Sequence, residues 1–131
     1  IKKPKKSKKT TRVVHGAAKI VRHGLLLLSV WAKIKRDAAR RGISFRLRIE
    51  DAWKILKRQK FLCKLSGVRL RLKKHKDDKT ANASLDRIDS NKGYAASNVQ
   101  WLDKAVNRIK GDCPERVFIG WCRKITKYQN S

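Results

Sequence analysis

Apolar residues recur along the first part of the chain at helical spacing. From about Ala17 to Arg40 they return every three or four positions, which predicts an N-terminal helix that Gly42 would end and Gly24 would interrupt. A shorter run predicts a second helix over 49–59. These two patterns place the first half of the fold on helices.

A similar spacing predicts a last helix that starts at Pro114, where the missing N–H costs nothing. Asp112 or Cys113 would cap this helix. We expect its apolar stripe to be buried, and the stripe comprises Phe118, Ile119, Cys122 and Ile125.

Alternating residues predict strands in the middle of the chain. Residues 61–72 alternate as a hairpin with its turn at Ser66-Gly67, and a polar loop follows over 73–82. Residues 83–102 then predict a strand, a turn at 91–93 and a second strand from Val99. Asp103 is placed to cap a short helix that Gly111 would close.

The strand-turn-strand-helix unit brings an acid and an amide close together. Asp86 lies near the end of its first strand, and Asn107 lies on its helix. A unit of this size can place both side chains on one divalent cation, and their oxygen atoms suit Mg²⁺ or Mn²⁺. Asp89 could substitute as ligand or base, but a turn residue that bonds the backbone of 90–92 is the favoured interpretation.

Taken together, the elements predict an α+β fold in one small domain. We expect a basic disordered tail over 1–16, a helical segment over 17–42 and the main domain over 43–131. The tryptophans should supply much of the core, and they are Trp31, Trp53, Trp101 and Trp121.

The charge of the chain indicates its partner. It has 36 Lys+Arg against 10 Asp+Glu and a formal net charge of +26, whereas a soluble domain typically needs only about 2–8. Nucleic acid, DNA or RNA, is the abundant polyanion that such a field attracts. A membrane is a poor alternative, because the apolar run over 25–28 is far shorter than the roughly 20 residues of a span.

Residues 1–12 form a basic segment that contains no acidic residue and only one apolar side chain. Such a segment should be disordered without a partner and should bind phosphates on nucleic acid, although a localisation tail would look the same. Its cationic residues are Lys2, Lys3, Lys5, Lys6, Lys8, Lys9 and Arg12.

The three cysteines, Cys63, Cys113 and Cys122, form no CxxC pair, which argues against a disulfide framework and a zinc finger. We expect Cys63 and Cys122 to be buried thiols in an intracellular, reducing compartment, either a phage or bacterial cytoplasm or an organelle. No secretory signal is visible, and a chain that starts at Ile1 leaves a removed presequence open.

The phrase SLDRIDSNKGY, followed by NVQW, resembles a phage and bacterial branch of the HNH (His-Me finger) endonucleases. The resemblance also takes in AARRGISF, FLCKLSG and VFIGWCRKI, and so covers most of residues 37–125. It implies a ββα-metal finger that hydrolyses phosphodiester bonds with Mg²⁺ or Mn²⁺. The family's motif positions fall on Asp86, Asn98, Asn107 and Lys110.

The resemblance assigns a role to each motif position. Asp86 and Asn107 would be metal ligands and, with Arg87, catalytic residues, whereas Asn98 would be structural and hydrogen-bond the loop. Arg87, Lys92 and Lys110 would hold phosphate oxygens.

This chain departs from the family in two ways. Arg87 replaces the general-base histidine that directly follows the first aspartate, and arginine stays protonated at any working pH. Asp103 and Val106 stand where relatives carry two zinc-binding cysteines, so no structural zinc is expected. The histidines, His15, His23 and His75, all lie outside the motif; His75 is best placed to reach the site, but surface contact with phosphate is the favoured interpretation for each.

Two functions are therefore compatible with the sequence. The first is a metal-dependent endonuclease. The alternative is a catalytically inactive relative that serves as a structural RNA-binding component of a ribonucleoprotein, such as a mitochondrial ribosome. The motif residues favour the first, while Arg87 and the high charge density favour the second.

Overall fold

The described part of the chain begins with a three-stranded antiparallel sheet. A computed structural model describes the backbone of residues 10–15 and 18–131, and the side chains from residue 21 onward. The strands are β1 (Thr10–His15), β2 (Ala18–His23) and β3 (Leu26–Leu27), and β2 lies in the middle.

Two predictions for this region are wrong. Residues 18–27 form strands and a turn instead of the helix predicted from Ala17, and residues 10–15, predicted as part of the disordered tail, form β1. Ile20 and Val21 are β-branched and favour strands, and Gly24 has a φ of +57°, which suits a turn. Residues 1–9, with the tail lysines, lie outside the described residues, as does the side chain of Arg12.

Four helices and a second sheet complete an α+β domain within the described residues. The helices are α1 (Leu28–Arg40), α2 (Ile49–Arg58), α3 (Lys104–Lys110) and α4 (Glu115–Gln129). The second sheet pairs β4 (Ala83–Arg87) with β5 (Val99–Asp103) in antiparallel register. The prediction for α2 is confirmed, and Gly42, with a φ of +67°, follows the end of α1 as expected.

The hydrophobic core joins α1, α2 and both strands of the second sheet. Trp31, Trp53 and Trp101 are all buried in it, which confirms the prediction for these three tryptophans. The Trp101 indole N–H donates to the Ala52 carbonyl at 2.9 Å, so its polar atom is satisfied inside the core. The packing fixes the second sheet against α2.

The segment predicted as a hairpin over 61–72 has only one bridging pair, Leu62 with Arg69. Asn82 organises this segment from the end of the following loop. Its side-chain oxygen accepts the Arg71 N–H at 2.5 Å, and its amide nitrogen donates to the Arg69 carbonyl at 3.0 Å and to Asp103 Oδ2 at 2.9 Å. One buried asparagine therefore links the segment to the start of α3.

The prediction of a buried stripe on α4 is wrong. This helix has no buried residue, and Ile125 is 58% exposed and Trp121 57% exposed. Cys122 is also exposed, whereas Cys63 is buried as expected. The predicted cap is also wrong, because Pro114 occupies the N-cap position and no side chain caps the helix. None of the helices in the described residues is long and apolar enough to cross a membrane.

Candidate functional site

The candidate site is built on β4, β5 and α3. In the antiparallel register, Asp86 pairs with Gln100, and α3 packs on both strands. Asp103 caps α3 as predicted: its Oδ1 accepts the Ala105 N–H at 2.8 Å. That N–H is also the main reason why the pKa of Asp103 lies below its usual value. Gly111, with a φ of +53°, follows the last residue of the helix.

Two side-chain pairs connect α3 to β4. Ser84 and Asp86 lie on one face of the strand, and Asn107 and Lys110 lie one turn apart on the helix. The Asn107 amide nitrogen donates to Ser84 Oγ at 2.7 Å, and Lys110 Nζ lies 2.8 Å from Asp86 Oδ2. The structure therefore brings the predicted residues together, but it pairs Asp86 with Lys110 and not with Asn107.

The ion pair between Asp86 and Lys110 is buried. The Asp86 side chain is 7% exposed and that of Lys110 is 2% exposed. Lys110 also donates to the Arg87 carbonyl at 3.2 Å, and Gln100 Nε2 donates to Asp86 Oδ2 at 2.9 Å. The sequence suggested that Lys110 would hold a phosphate oxygen. Because its ammonium group is enclosed, Lys110 does not present its charge to a phosphate at the surface.

Protein groups already engage part of the polar surface that a divalent cation on Asp86 and Asn107 would use. The Oδ2 atom of Asp86 already accepts from Lys110 and Gln100, and the Asn107 amide nitrogen faces Ser84. A dication at Asp86 would have to lie beside a buried ammonium group, which is a repulsive contact in a region of low dielectric constant. Across the described residues, no three His, Cys, Asp or Glu side chains are grouped closely enough to hold a metal.

Arg87 binds the turn that follows β4. One of its terminal nitrogens donates to the Ser90 carbonyl at 2.8 Å and to the Lys92 carbonyl at 2.9 Å. Its guanidinium carbon lies 5.5 Å from the centre of the Tyr94 ring. The guanidinium group is therefore engaged with protein groups, whereas the side chain of Lys92 is exposed.

Asn98 makes the loop hydrogen bonds expected of it. Its oxygen accepts the Asp89 N–H at 2.9 Å, and its nitrogen donates to the carbonyls of Asp89 at 3.0 Å and of Gly93 at 2.9 Å. Asp89 in turn accepts the Asn91 N–H at 2.9 Å, which confirms the interpretation of Asp89 as a turn residue. The loop between the two strands is thus held from inside by side chains.

Among the described residues, no histidine is hydrogen-bonded to Asp86. His75 is exposed on the loop over 73–82, as expected, and the side chain of His15 lies outside the described residues. His23 is only 4% exposed, so the expectation that it lies on the surface is wrong. Among the described side chains, no imidazole therefore takes the place of the general base that Arg87 replaces.

Sequence reasoning missed Gln100 and Glu115. Gln100 Nε2 lies between two carboxylates, at 2.9 Å from Asp86 Oδ2 and 2.6 Å from Glu115 Oε1. A polar residue in the otherwise apolar run over 99–102 was the available signal for Gln100. Glu115 gave no such signal, because its contact depends on where α4 starts relative to the sheet.

Comparisons with protein-family models, with curated proteins and with solved structures gave no match to this chain.

Proposed function

We propose that this chain is a nucleic-acid-binding protein with an HNH-like core that stabilises the fold and does not hydrolyse phosphodiester bonds. The buried ion pair between Asp86 and Lys110 carries this proposal. In the resemblance to HNH endonucleases, Asp86 is the first metal ligand. Here its carboxylate is engaged by an ammonium group and an amide, which supports a role in holding α3 on β4.

The position of Arg87 supports the same function. Hydrolysis needs a group that accepts a proton from water, and a guanidinium group cannot do so at working pH. A second use for Arg87, the binding of a scissile phosphate, competes with its hydrogen bonds to the Ser90 and Lys92 carbonyls. The residue that distinguishes this chain from a typical HNH nuclease therefore holds a turn.

The charge of the chain supports nucleic acid as the partner. A net charge of +26 on 131 residues attracts phosphate backbones strongly, and each neutralised phosphate releases about 0.7–0.9 counterion. The lysines over 2–9 would add further phosphate contacts. A small basic domain with a basic extension suits a structural RNA-binding component of a ribonucleoprotein, and this is the role that we favour over an endonuclease.

Plasmid nicking tests the absence of catalysis. Wild type and Arg87→His are incubated with supercoiled plasmid in Mg²⁺ and in Mn²⁺, with Asp86→Asn as the matched control. We expect none of the three proteins to cut, while wild type binds nucleic acid with an affinity that falls steeply with salt. Nicking that Asp86→Asn abolishes would establish the endonuclease instead, and nicking that all three share would come from a contaminant.

A further inference from the structure

A basic groove lies apart from the candidate site, and we propose that it binds a single-stranded segment of nucleic acid. The groove runs between the end of the first sheet and the segment over 69–75, and it encloses about 940 Å³. That volume is at the upper end of the roughly 300–1,000 Å³ of ligand-binding clefts. The proposal rests on nucleic-acid binding as the function and specifies where and in which form the partner binds.

The charges around the groove all have one sign. Among the described residues, its lining includes no aspartate or glutamate, and its basic residues are Arg22, Arg69, Arg71, Lys73, Lys74 and His75. Two acids, Asp77 and Asp78, follow His75 closely in sequence, and neither lines the groove. Asp77 is exposed to solvent, whereas the Asp78 carboxylate accepts from the Lys74 N–H at 3.0 Å and from the Thr80 N–H at 2.9 Å. Arg71 Nε donates to the Thr80 carbonyl at 3.1 Å and Lys73 Nζ to the Lys76 carbonyl at 3.2 Å, so the exposed side chains of Arg69 and Lys74 are the ones best placed to meet phosphates.

The floor of the groove is apolar. Apart from Thr80, the remaining lining residues are leucines and one phenylalanine: Leu25, Leu27, Phe61, Leu70 and Leu72. Leu25 is 46% exposed, so its side chain is accessible to a ligand in the groove. A duplex presents mainly phosphate and sugar at its surface, whereas unpaired nucleotides expose base faces that apolar side chains can cover. A basic rim over an apolar floor therefore matches a single strand.

Arg22 adds an independent observation. Its Nε atom is buried and has no hydrogen-bond partner among the described residues. A buried donor without a partner is costly, at about 1–3 kcal/mol. A phosphate or base oxygen in the groove would supply an acceptor close to this donor, which accounts for an arginine that the described residues leave unsatisfied.

The lining of the groove contains none of the candidate-site residues Asp86, Arg87, Asn107 and Lys110. Variants of the groove therefore leave the candidate site and its ion pair untouched. This separation makes the two proposals distinguishable, since the site proposal concerns cleavage and the groove proposal concerns where the strand lies.

Fluorescence anisotropy with the full chain tests the groove. The groove variant Arg69→Gln/Lys74→Gln is compared with Lys35→Gln/Arg36→Gln, which removes the same charge from exposed positions on α1. Labelled single-stranded RNA, single-stranded DNA and both duplexes are the probes. For single strands, losing two phosphate contacts should reduce the slope of log K against log salt by about 1.4 in the groove variant, with little change in the control.

A third variant, Leu25→Ala, tests the apolar floor. It should weaken single-strand binding several-fold without changing the salt slope, because no charge is removed. Equal effects of the two charge variants would overturn the groove while leaving nucleic-acid binding intact. Tighter binding of duplexes, or no effect of Leu25→Ala, would overturn the single-strand assignment. Failure of wild type to bind any probe would overturn the proposed function itself.

Discussion

Lys110 Nζ lies 2.8 Å from Asp86 Oδ2, with both side chains almost fully buried. Two charges removed from water in this way depend on each other, because neither has solvent to replace its partner. Lys110 lies in the last turn of α3 and Asp86 near the end of β4, so the pair also fixes the helix on the sheet.

Removal of one partner should therefore be costly. Lys110→Met leaves a buried carboxylate without its cation, and we expect it to lower the free energy of unfolding by about 3–5 kcal/mol. The double variant Asp86→Asn/Lys110→Met should recover most of this loss, because no charge is then buried. Urea unfolding followed by tryptophan fluorescence measures both. A Lys110→Met protein as stable as wild type would show that the two side chains are not paired in solution.

The same pair predicts how the protein responds to metal. A ligand that binds only the folded state raises the unfolding temperature. Since Lys110 occupies the space beside Asp86, we expect millimolar Mg²⁺ or Mn²⁺ to leave the Tm of the wild type unchanged. A rise that Asp86→Asn abolishes would identify Asp86 as a metal ligand after all. Differential scanning fluorimetry gives this readout without any assay of activity.

Arg87 should contribute to stability through the turn. Arg87→Ala removes the donors to the Ser90 and Lys92 carbonyls, and we expect a loss of about 1–3 kcal/mol in the free energy of unfolding. Arg87→Lys should recover only part of it, because an ammonium group lacks the planar geometry of guanidinium. Arg36→Ala, at an exposed position on α1, is the control for the loss of one charge. If Arg87→Ala matches this control in stability while binding nucleic acid less tightly, Arg87 contacts phosphate instead.

The sequence predicted the region around this turn better than the two ends of the fold. A cap at Asp103, a glycine at 111 and an alternating run before them are local signals, and α3 and β5 formed as those signals indicate. The N-terminal segment was ambiguous, because Ile20 and Val21 fit both helical spacing and a strand. Its pairing with β1 decided the outcome, and that contact is not visible in either segment alone.

Long-range pairing also limits what could be predicted at the candidate site. Asp86, Asn107 and Lys110 were identified as neighbours, but their partners depend on how α3 is rotated on β4. The apolar spacing on α4 correctly indicated a helix. Spacing describes one face of a helix and not what covers it, and so Trp121 and Cys122 were placed inside when both are exposed.

Asn98 provides a test of the loop. Asn98→Ala removes one acceptor and two donors from a buried position, and it should lower the free energy of unfolding by about 1–3 kcal/mol. Asn98→Asp keeps the acceptor for the Asp89 N–H but places a carboxylate against two carbonyl oxygens, so it should be no better. Asn91→Ala, at an exposed position in the same loop, is the control, and its free energy of unfolding should be close to that of wild type. A stable Asn98→Ala protein would contradict the internal role of this side chain.

Asp78 predicts how stability depends on pH. Hydrogen bonds from the Thr80 hydroxyl, then from the Lys74 and Thr80 N–H groups, hold the pKa of Asp78 far below its usual value. A carboxyl with a depressed pKa in the folded state contributes stability above its unfolded pKa of about 3.9 and loses that contribution as the pH falls further. Asp78→Asn should therefore lower the Tm at pH 7, and the difference from wild type should shrink as the pH falls below about 4.

Two further variants separate this carboxyl from general effects of charge. Asp77→Asn removes the same charge from the exposed neighbouring position and should leave the Tm at pH 7 close to that of wild type. Thr80→Val removes the first of the hydrogen bonds that lower the pKa of Asp78 and so brings the folded pKa closer to the unfolded one. Its stability should still begin to fall near the unfolded pKa, but the total loss should be smaller and should be complete at a higher pH than in wild type. Thermal unfolding between pH 2 and 7 measures all four proteins. A constant difference between Asp78→Asn and wild type over that range would mean that the carboxylate charge contributes nothing, and that the asparagine only disturbs the packing of the loop.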